Sequence, residues 1–195
     1  PAAKKVRRGQ PPGAGALVAE ADRAFESRRY DEAEKKCLQV RAQDEKNLYT
    51  LTHLGAVNLE MSRLGEAEKY LRRSLESDGE DEFSLSLMGV VKYDQDKYDE
   101  AIDYLSRAAK INPKRSATQV FIGLALAKKG QRGPAEAALR KALELQPNNP
   151  DAHYNLALIY ASQIPPFLEM ARWHYQKALA FGAVKNPTLE LKLSK

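Results

Sequence analysis

The chain of 195 residues is long enough to bury a core, is 43% hydrophobic and 29% charged, and contains no apolar run long enough to span a bilayer. Its single cysteine, Cys37, excludes an intramolecular disulfide. The net charge of +5 comes mainly from Lys4, Lys5, Arg7 and Arg8, because the 176 residues after position 19 carry only +1 together. This charge distribution indicates a basic tail rather than a nucleic-acid-binding fold.

The first segment, PAAKKVRRGQPPGAG, is rich in Pro, Gly and Ala and lacks hydrophobic periodicity. Residues 1–13 are therefore predicted to form a disordered basic, proline-rich tail. The segment has no apolar stretch typical of a signal peptide, which favours a cytoplasmic location without determining it. Because the chain starts at Pro1, it is expected to be either processed or part of a longer protein.

Alanine recurs at a fixed interval in the rest of the chain. Four alanines are 34 residues apart and a fifth follows after 36: Ala33, Ala67, Ala101, Ala135 and Ala171. Glycines lie twelve residues before the second, third and fourth of these alanines: Gly55, Gly89 and Gly123. A glycine within a helix costs about 1 kcal/mol relative to alanine. Three glycines in phase therefore predict positions where two helices come into close contact.

Each period contains two predicted helices joined by a short polar turn. In the second period Leu51 and Leu54 have helical spacing, and Ala67 and Leu71 share one face of the following helix. In the third period Pro113 ends the second helix. The turns of the third and fourth periods contain Asp96 and Gly130. A two-helix hairpin of this size cannot cover its own apolar stripe, so it is expected to stack on similar neighbours.

These features resemble the tetratricopeptide repeat (TPR). The third period shows the pattern of small and large apolar residues most fully, with Leu85, Gly89, Ala101, Leu105, Ala108 and Pro113. The resemblance implies an all-α solenoid of five helix–turn–helix repeats that form a right-handed superhelix. The expected repeats are 14–47, 48–81, 82–115, 116–149 and 150–185, followed by a short capping segment, 186–195.

Residues that could support catalysis are few. The segment KGQRGPAE lacks the spacing of a phosphate-binding loop. The three histidines, His53, His153 and His174, show no spacing typical of a metal site, although His153 and His174 fall within one repeat. Cys37 occupies a place where the family buries an apolar side chain, so a core cysteine is favoured over a reactive thiol. We expect no enzymatic activity, no catalytic residues, no cofactor and no metal.

The resemblance implies that the first helices of the repeats line a concave groove. The groove positions of this chain are mostly apolar or aromatic, which favours an apolar surface that binds a peptide or helix of a partner protein. The alternative is that some of these side chains pack only between neighbouring helices. The expected groove residues are Tyr49, His53, Phe83, Leu87, Val90, Tyr93, Val120, Phe121, Leu124, Tyr154, Asn155 and Leu158.

Some family members bind the C-terminal carboxylate of chaperones through lysine, arginine and asparagine in this groove. This chain has other residue types at most of those places, for example His53, Phe83 and Leu87, and only Asn155 has the expected type. A carboxylate-binding groove is therefore disfavoured. The protein's own tail and a second copy of the chain are two further candidate ligands of the groove.

Trp173 lies on the outer helix of the last repeat, where earlier repeats have Lys35, Lys69, Asp103 and Ala137. It is expected either to cover the enlarged turn around IPPF, which is favoured, or to form a contact on the convex surface.

The sequence thus predicts a non-catalytic scaffold that binds a protein or peptide segment. One alternative is association of the basic tail with nucleic acid or an acidic surface, which would weaken steeply with salt. Another is a substrate-recruiting region of a larger enzyme or secretion complex. No span of a membrane is expected.

Overall fold

The computed structural model describes residues 14–45 and 47–194, and the predicted disordered tail, residues 1–13, lies outside them. The described part is entirely helical, without a β-strand. The helices are α1 Gly15–Glu26, α2 Tyr30–Arg41, α3 Leu48–Glu60, α4 Leu64–Ser77, α5 Glu82–Asp94, α6 Tyr98–Ile111, α7 Ser116–Lys128, α8 Arg132–Leu145, α9 Pro150–Ala161, α10 Leu168–Ala180 and α11 Pro187–Leu193. None of these helices has the length and apolar character needed to cross a bilayer.

Side-chain caps start several of the odd-numbered helices. Asn47, Asp81, Asn149 and Asn186 each accept a hydrogen bond from the backbone N–H three residues later, at 2.8–3.1 Å. Such a cap satisfies one of the four backbone donors that a helix leaves without a partner at its start. The local sequence therefore fixes where α3, α5, α9 and α11 begin.

The turns that connect the helices of the first four pairs share one backbone conformation. Arg28, Ser62, Asp96 and Gly130 lie 34 residues apart and all have positive φ, between 57° and 74°. The N–H of the residue after each of them bonds to the carbonyl five residues earlier, at 2.8–2.9 Å. This is the Schellman arrangement, which ends a helix with one left-handed residue. Only one of the four positions has the glycine that this conformation favours.

The chain divides into two units, Pro1–Lys97 and Tyr98–Lys195. In the first unit, α1 packs on α2, α2 on α3, α3 on α4, and α4 on α5. Its interior includes a triangle of hydroxyls, in which Thr52, Ser74 and Ser84 lie 2.8–3.0 Å from one another. Each hydroxyl can donate one bond and accept another, so these buried polar groups satisfy one another.

In the second unit, α6 packs on α7, α7 on α8, α8 on α9, and α9 on α10. The final helix α11 lies against α9 and α10 and buries Leu189 and Leu193 in the same core cluster as Leu139, Leu156 and Tyr175. A short helix is stable here because it covers apolar surface that the last helix pair would otherwise expose.

Close helix contact at glycine, predicted from the sequence, is confirmed at two positions. A Cβ atom added to Gly55 would lie 2.6 Å from Cγ of Leu71, and one added to Gly123 would lie 2.6 Å from Cγ of Leu139. Both distances are shorter than van der Waals contact, so only glycine fits between these helices at the observed separation. The recurrent glycine therefore makes room for the recurrent leucine of the next helix, which packs directly against it.

Candidate functional site

Three aromatic side chains of the first unit form a row on α3 and α5. The rings of Tyr49 and His53 are stacked with centroids 3.7 Å apart, and the His53 ring lies 6.4 Å from that of Phe83. Tyr49 and His53 are one helical turn apart on α3, and Phe83 is in the first turn of α5. They line a depression of about 80 Å³, which we call the aromatic pocket; its lining is Leu48, Tyr49, Thr52, His53, Asp81 and Phe83.

A carboxylate from α1 bonds to the Tyr49 ring and lies close to the His53 ring. The Tyr49 hydroxyl donates a hydrogen bond to Asp22, and Nε2 of His53 lies 3.5 Å from the same carboxylate oxygen. Nδ1 of His53 is 2.8 Å from the backbone oxygen of Tyr49, so the neutral ring carries its proton on Nδ1. Burial lowers the pKa of His53, against the opposing effects of that hydrogen bond and of Asp22. The pocket is therefore lined by a neutral imidazole near pH 7 and has an acidic rim.

Three further predicted groove residues continue along α5. Phe83, Leu87 and Val90 follow at helical spacing, so they share one face, and Tyr93 lies at its end. All four are half-buried, which means that each retains surface available for contact. Burial raises the pKa of Tyr93, with Asp94 and Asp96 adding to the effect, so its phenol is protonated at neutral pH.

The second unit presents the remaining predicted groove residues on α7 and α9. Phe121, Leu124, Tyr154 and Asn155 are half-buried and Leu158 is exposed. Val120, by contrast, is only 4% exposed and belongs to the core cluster of this unit, so it is not available to a partner. The alternative interpretation, packing between neighbouring helices, applies to Val120.

Two of these polar side chains are engaged within the unit. The Tyr154 hydroxyl accepts a hydrogen bond from the Asn186 side-chain amide at 2.7 Å, and Asn155 donates to the backbone oxygen of Asp151 at 2.8 Å. The Tyr154 bond ties α9 to the segment before α11. Asn155 is therefore already hydrogen-bonded within its own helix.

Trp173 on α10 is 52% exposed and packs on two histidines. Its ring meets those of His174 and His153 edge-on, at centroid distances of 4.7 and 5.7 Å, and the Lys177 ammonium lies 5.6 Å from the indole centroid. With Phe181 it borders a depression of about 320 Å³. The packing partners of the indole thus include a pair of rings that sequence reasoning did not connect with it.

The two histidines form a buried hydrogen-bonded pair. Their Nδ1 atoms are 2.9 Å apart, and Nε2 of His153 is 3.0 Å from the backbone oxygen of Pro147. Because Nε2 of His153 donates to that oxygen, its Nδ1 is the acceptor and His174 is the donor. Burial lowers the pKa of both rings, that of His174 to about 4, so both are neutral near pH 7.

The arrangement does not provide a set of metal ligands. Among the described residues, no three His, Cys, Asp or Glu side chains lie close enough together to hold an ion. Cys37 is buried beside Ala21 and Leu54, and burial raises the pKa of its thiol to about 12. The prediction that Cys37 is a core residue is confirmed, because a thiol in this setting has almost no thiolate at neutral pH.

Two segments of the chain match known repeat models. Residues 84–115 match the model described as tetratricopeptide repeat, and residues 123–163 match the one described as TPR repeat. A segment of 61 residues is 39% identical to the type IV pilus assembly protein PilF of Pseudomonas aeruginosa. That segment is 31% of this chain and 23% of PilF, so the chain spans less than a quarter of that relative.

Solved structures share the fold at low sequence identity. A crystal structure of MamA superimposes with a TM-score of 0.70 at 22% identity, covering 83% of this chain and 93% of MamA. MamA from Desulfovibrio magneticus RS-1 gives a TM-score of 0.74 at 16% identity, over 89% and 97% of the two chains. A chain of the APC/C Cut9–Hcn1 hetero-tetramer gives 0.84 at 21% identity, over 95% of this chain and 36% of the other. These structures share the all-α fold, and the two repeat matches show that the chain contains tetratricopeptide repeats.

Proposed function

We propose that this protein is a non-catalytic scaffold that binds a segment of a partner protein on the first helices of its repeats. Membership among the tetratricopeptide repeat proteins supports a protein-binding role, since such proteins generally act as scaffolds that bind other proteins. The observation that carries the proposal is the aromatic pocket, where Tyr49, His53 and Phe83 retain accessible surface. Aromatic side chains in a depression provide large contact areas at low cost in conformational entropy.

The rim of the aromatic pocket indicates the chemistry of the bound segment. Asp22 from α1 and Asp81 before α5 flank the rings, and the chain directly before Phe83 also contains Asp78, Glu80 and Glu82. Carboxylates beside aromatic faces favour a cationic group, which gains Coulomb attraction and a cation–π contact together. The proposed ligand of the first unit is therefore an apolar segment that also carries lysine or arginine.

The second unit offers a further apolar surface of the same kind. Phe121, Leu124, Tyr154 and Leu158 project from α7 and α9 with accessible area. We assign these residues to the same partner-binding role. Asn155 belongs to this surface by position, although its amide is satisfied by Asp151.

The experiment is affinity capture with matched variants. Phe83→Ser and Leu87→Ser remove apolar contact from α5, and Ile111→Ser changes a 46% exposed residue at the end of α6 as the control. Loss of the captured protein with the α5 variants, but not with the control, supports the proposal, provided that circular dichroism shows unchanged helicity. If all three variants capture the partner as well as the unchanged protein does, the proposal is refuted.

A crosslinking experiment then locates the partner. Benzoylphenylalanine in place of Leu87 is expected to crosslink the captured protein, whereas the same group in place of Ile111 is expected not to. Crosslinking from Ile111 alone would place the partner on another surface.

The PilF similarity favours a more specific setting as a second candidate. We propose that the protein acts within an assembly apparatus for surface appendages, because its 61-residue segment is 39% identical to a protein named for pilus assembly. Disruption of the gene in its host, scored by electron microscopy of surface pili, tests this. Unchanged pili would remove this candidate and leave the scaffold proposal intact.

A further inference from the structure

We infer that the basic segment of residues 1–13 docks in cis on the aromatic pocket, so that the free protein masks the binding surface of its own first unit. The inference rests on the proposed function, since it concerns an occupant of the same pocket. It identifies that occupant from the chemistry of the segment, which has Val6 between Lys4, Lys5, Arg7 and Arg8. An apolar side chain between cations is the ligand chemistry that the rim and rings of the pocket favour.

The point where this segment joins the described structure lies close to the pocket. Ala14 is buried with Leu17 and Val18 in a cluster that also contains Tyr49, one of the residues lining the pocket. One turn further along α1, Asp22 bonds to Tyr49 and approaches His53. The start of α1 therefore lies beside the start of α3, and α3 packs on α5, which carries Phe83.

The length of the segment is sufficient for docking. An extended chain spans at most about 3.3–3.6 Å per residue, so the eight residues from Ala14 to Val6 reach about 26–29 Å. Neighbouring packed helices have axes about 8–10 Å apart, which places α5 roughly 20 Å from α1 across α3. Val6 can therefore reach the pocket while the flanking cations remain beside the carboxylates of the rim.

The charges of the two parts are complementary. The segment carries four cations and no acidic residue, and the turn at residues 78–82 contains Asp78, Glu80 and Glu82 besides the buried Asp81, which caps α5. A short tether keeps the segment at an effective concentration in the millimolar range, so even weak contacts give substantial occupancy. The attraction between exposed charges falls as salt rises. The docked fraction is thus expected to decrease at high ionic strength.

Paramagnetic broadening in NMR spectra of the full chain tests the inference. A nitroxide is attached through Ala2→Cys; Cys37 does not compete for the label because it is buried. The matched control carries the same label and the substitutions Lys4→Gln, Lys5→Gln, Arg7→Gln and Arg8→Gln. Docking predicts broadening of the His53 and Phe83 ring signals that is at least about threefold greater in the charged chain. The Phe25–Tyr30 ring pair, at the other end of α1, serves as internal reference.

Two results would overturn the inference. Equal broadening in the charged and neutral chains would show that the segment has no preference for the pocket. Broadening that disappears on dilution would place the segment on a second molecule instead of its own. Either result would leave the proposed function untouched, because that depends on capture lost through Phe83→Ser. If broadening were observed but capture did not depend on Phe83, the proposed function would fail and the docking would stand.

Discussion

The Nδ1 atoms of His153 and His174 lie 2.9 Å apart in the interior of the second unit, and one must act as acceptor for the other. The acceptor ring is therefore neutral, and burial disfavours the charged form of the donor ring as well. Arg140 and Glu136 on α8 and Lys177 on α10 also act on the pair, and the Tyr160 ring lies 5.5 Å from that of His174. Burial remains the main cause of the lowered pKa values.

This pair makes the stability of the second unit depend on pH. The pKa of His174 is about 4 in the folded state and 6.5 ordinarily, so the unfolded chain binds the proton first as pH falls. Stability is fully present above pH 6.5 and decreases between pH 6.5 and 4, by at most about 1.4 kcal/mol per pH unit for one proton. Urea unfolding followed by Trp173 fluorescence at pH 7.5 and 5.5 measures the change. His174→Phe should make the unfolding free energy less dependent on pH. An unchanged pH dependence in this variant would show that His174 is not its cause.

The left-handed turns predict that removing a glycine lowers stability, whereas introducing one at an equivalent position does not. Gly130→Ala forces a Cβ into positive φ, which costs about 1 kcal/mol, although no atom lies within 4 Å of that Cβ. Ser62→Gly relieves the same strain at φ 58° and is expected to be neutral or stabilising. Thermal unfolding of both variants provides the measurement. Destabilisation by Ser62→Gly of the size seen for Gly130→Ala would show that the turn conformation is not the cause.

The close approach at Gly123 predicts a steric penalty. Gly123→Ala places a Cβ 2.6 Å from Cγ of Leu139, so the helices must separate or the leucine must move, which costs typically about 1–3 kcal/mol. Gly133→Ala is the matched control, because it lies in α8 with nothing within 4 Å of the added Cβ. Since alanine is the better helix former, the control should be neutral or stabilising. Chemical denaturation distinguishes the two, and equal effects would refute the packing argument.

The buried ion pair of the first unit predicts a cost for removing one partner alone. Lys92 is only 4% exposed, and its ammonium lies 2.9 Å from Glu68. Burial by itself raises the pKa of Glu68, but hydrogen bonds from Gln95, Lys92 and Arg72 outweigh it and lower the value to about 2. Glu68→Gln removes the carboxylate that lies beside a buried ammonium and is expected to cost about 3 kcal/mol.

The double variant Glu68→Gln/Lys92→Met removes both charges and should recover much of that loss. Urea unfolding of the single and double variants completes the mutant cycle. A double variant less stable than Glu68→Gln would contradict this account.

The helices and their closest contacts were predictable because their signals repeat. Gly55 and Leu71 in the second period have the same places as Gly123 and Leu139 in the fourth, and close contact at both glycines is confirmed by the structure. The all-α fold and the tetratricopeptide repeat family were predicted for the same reason. The number of five repeats, the right-handed superhelix and the domain boundaries stay predictions.

Other features carry no periodic signal. Nothing in Arg28 or Ser62 as residue types indicates positive φ, because the conformation is imposed by backbone hydrogen bonds of the turn. His153 and His174 are 21 residues apart and meet only once α9 packs on α10. Val120 shares its residue type with groove positions such as Val90, and only packing shows that it is buried. Burial of single side chains therefore had to come from the structure.

The recurring Schellman turn has a consequence for how such an array changes during evolution. The same joint is built with Arg28, Ser62, Asp96 or Gly130 at its left-handed position, so its geometry does not depend on one particular side chain. Unequal crossing-over between two of these periods would therefore preserve a working junction on both sides of the exchanged segment. A gene of this kind can therefore gain or lose a helical hairpin in one step.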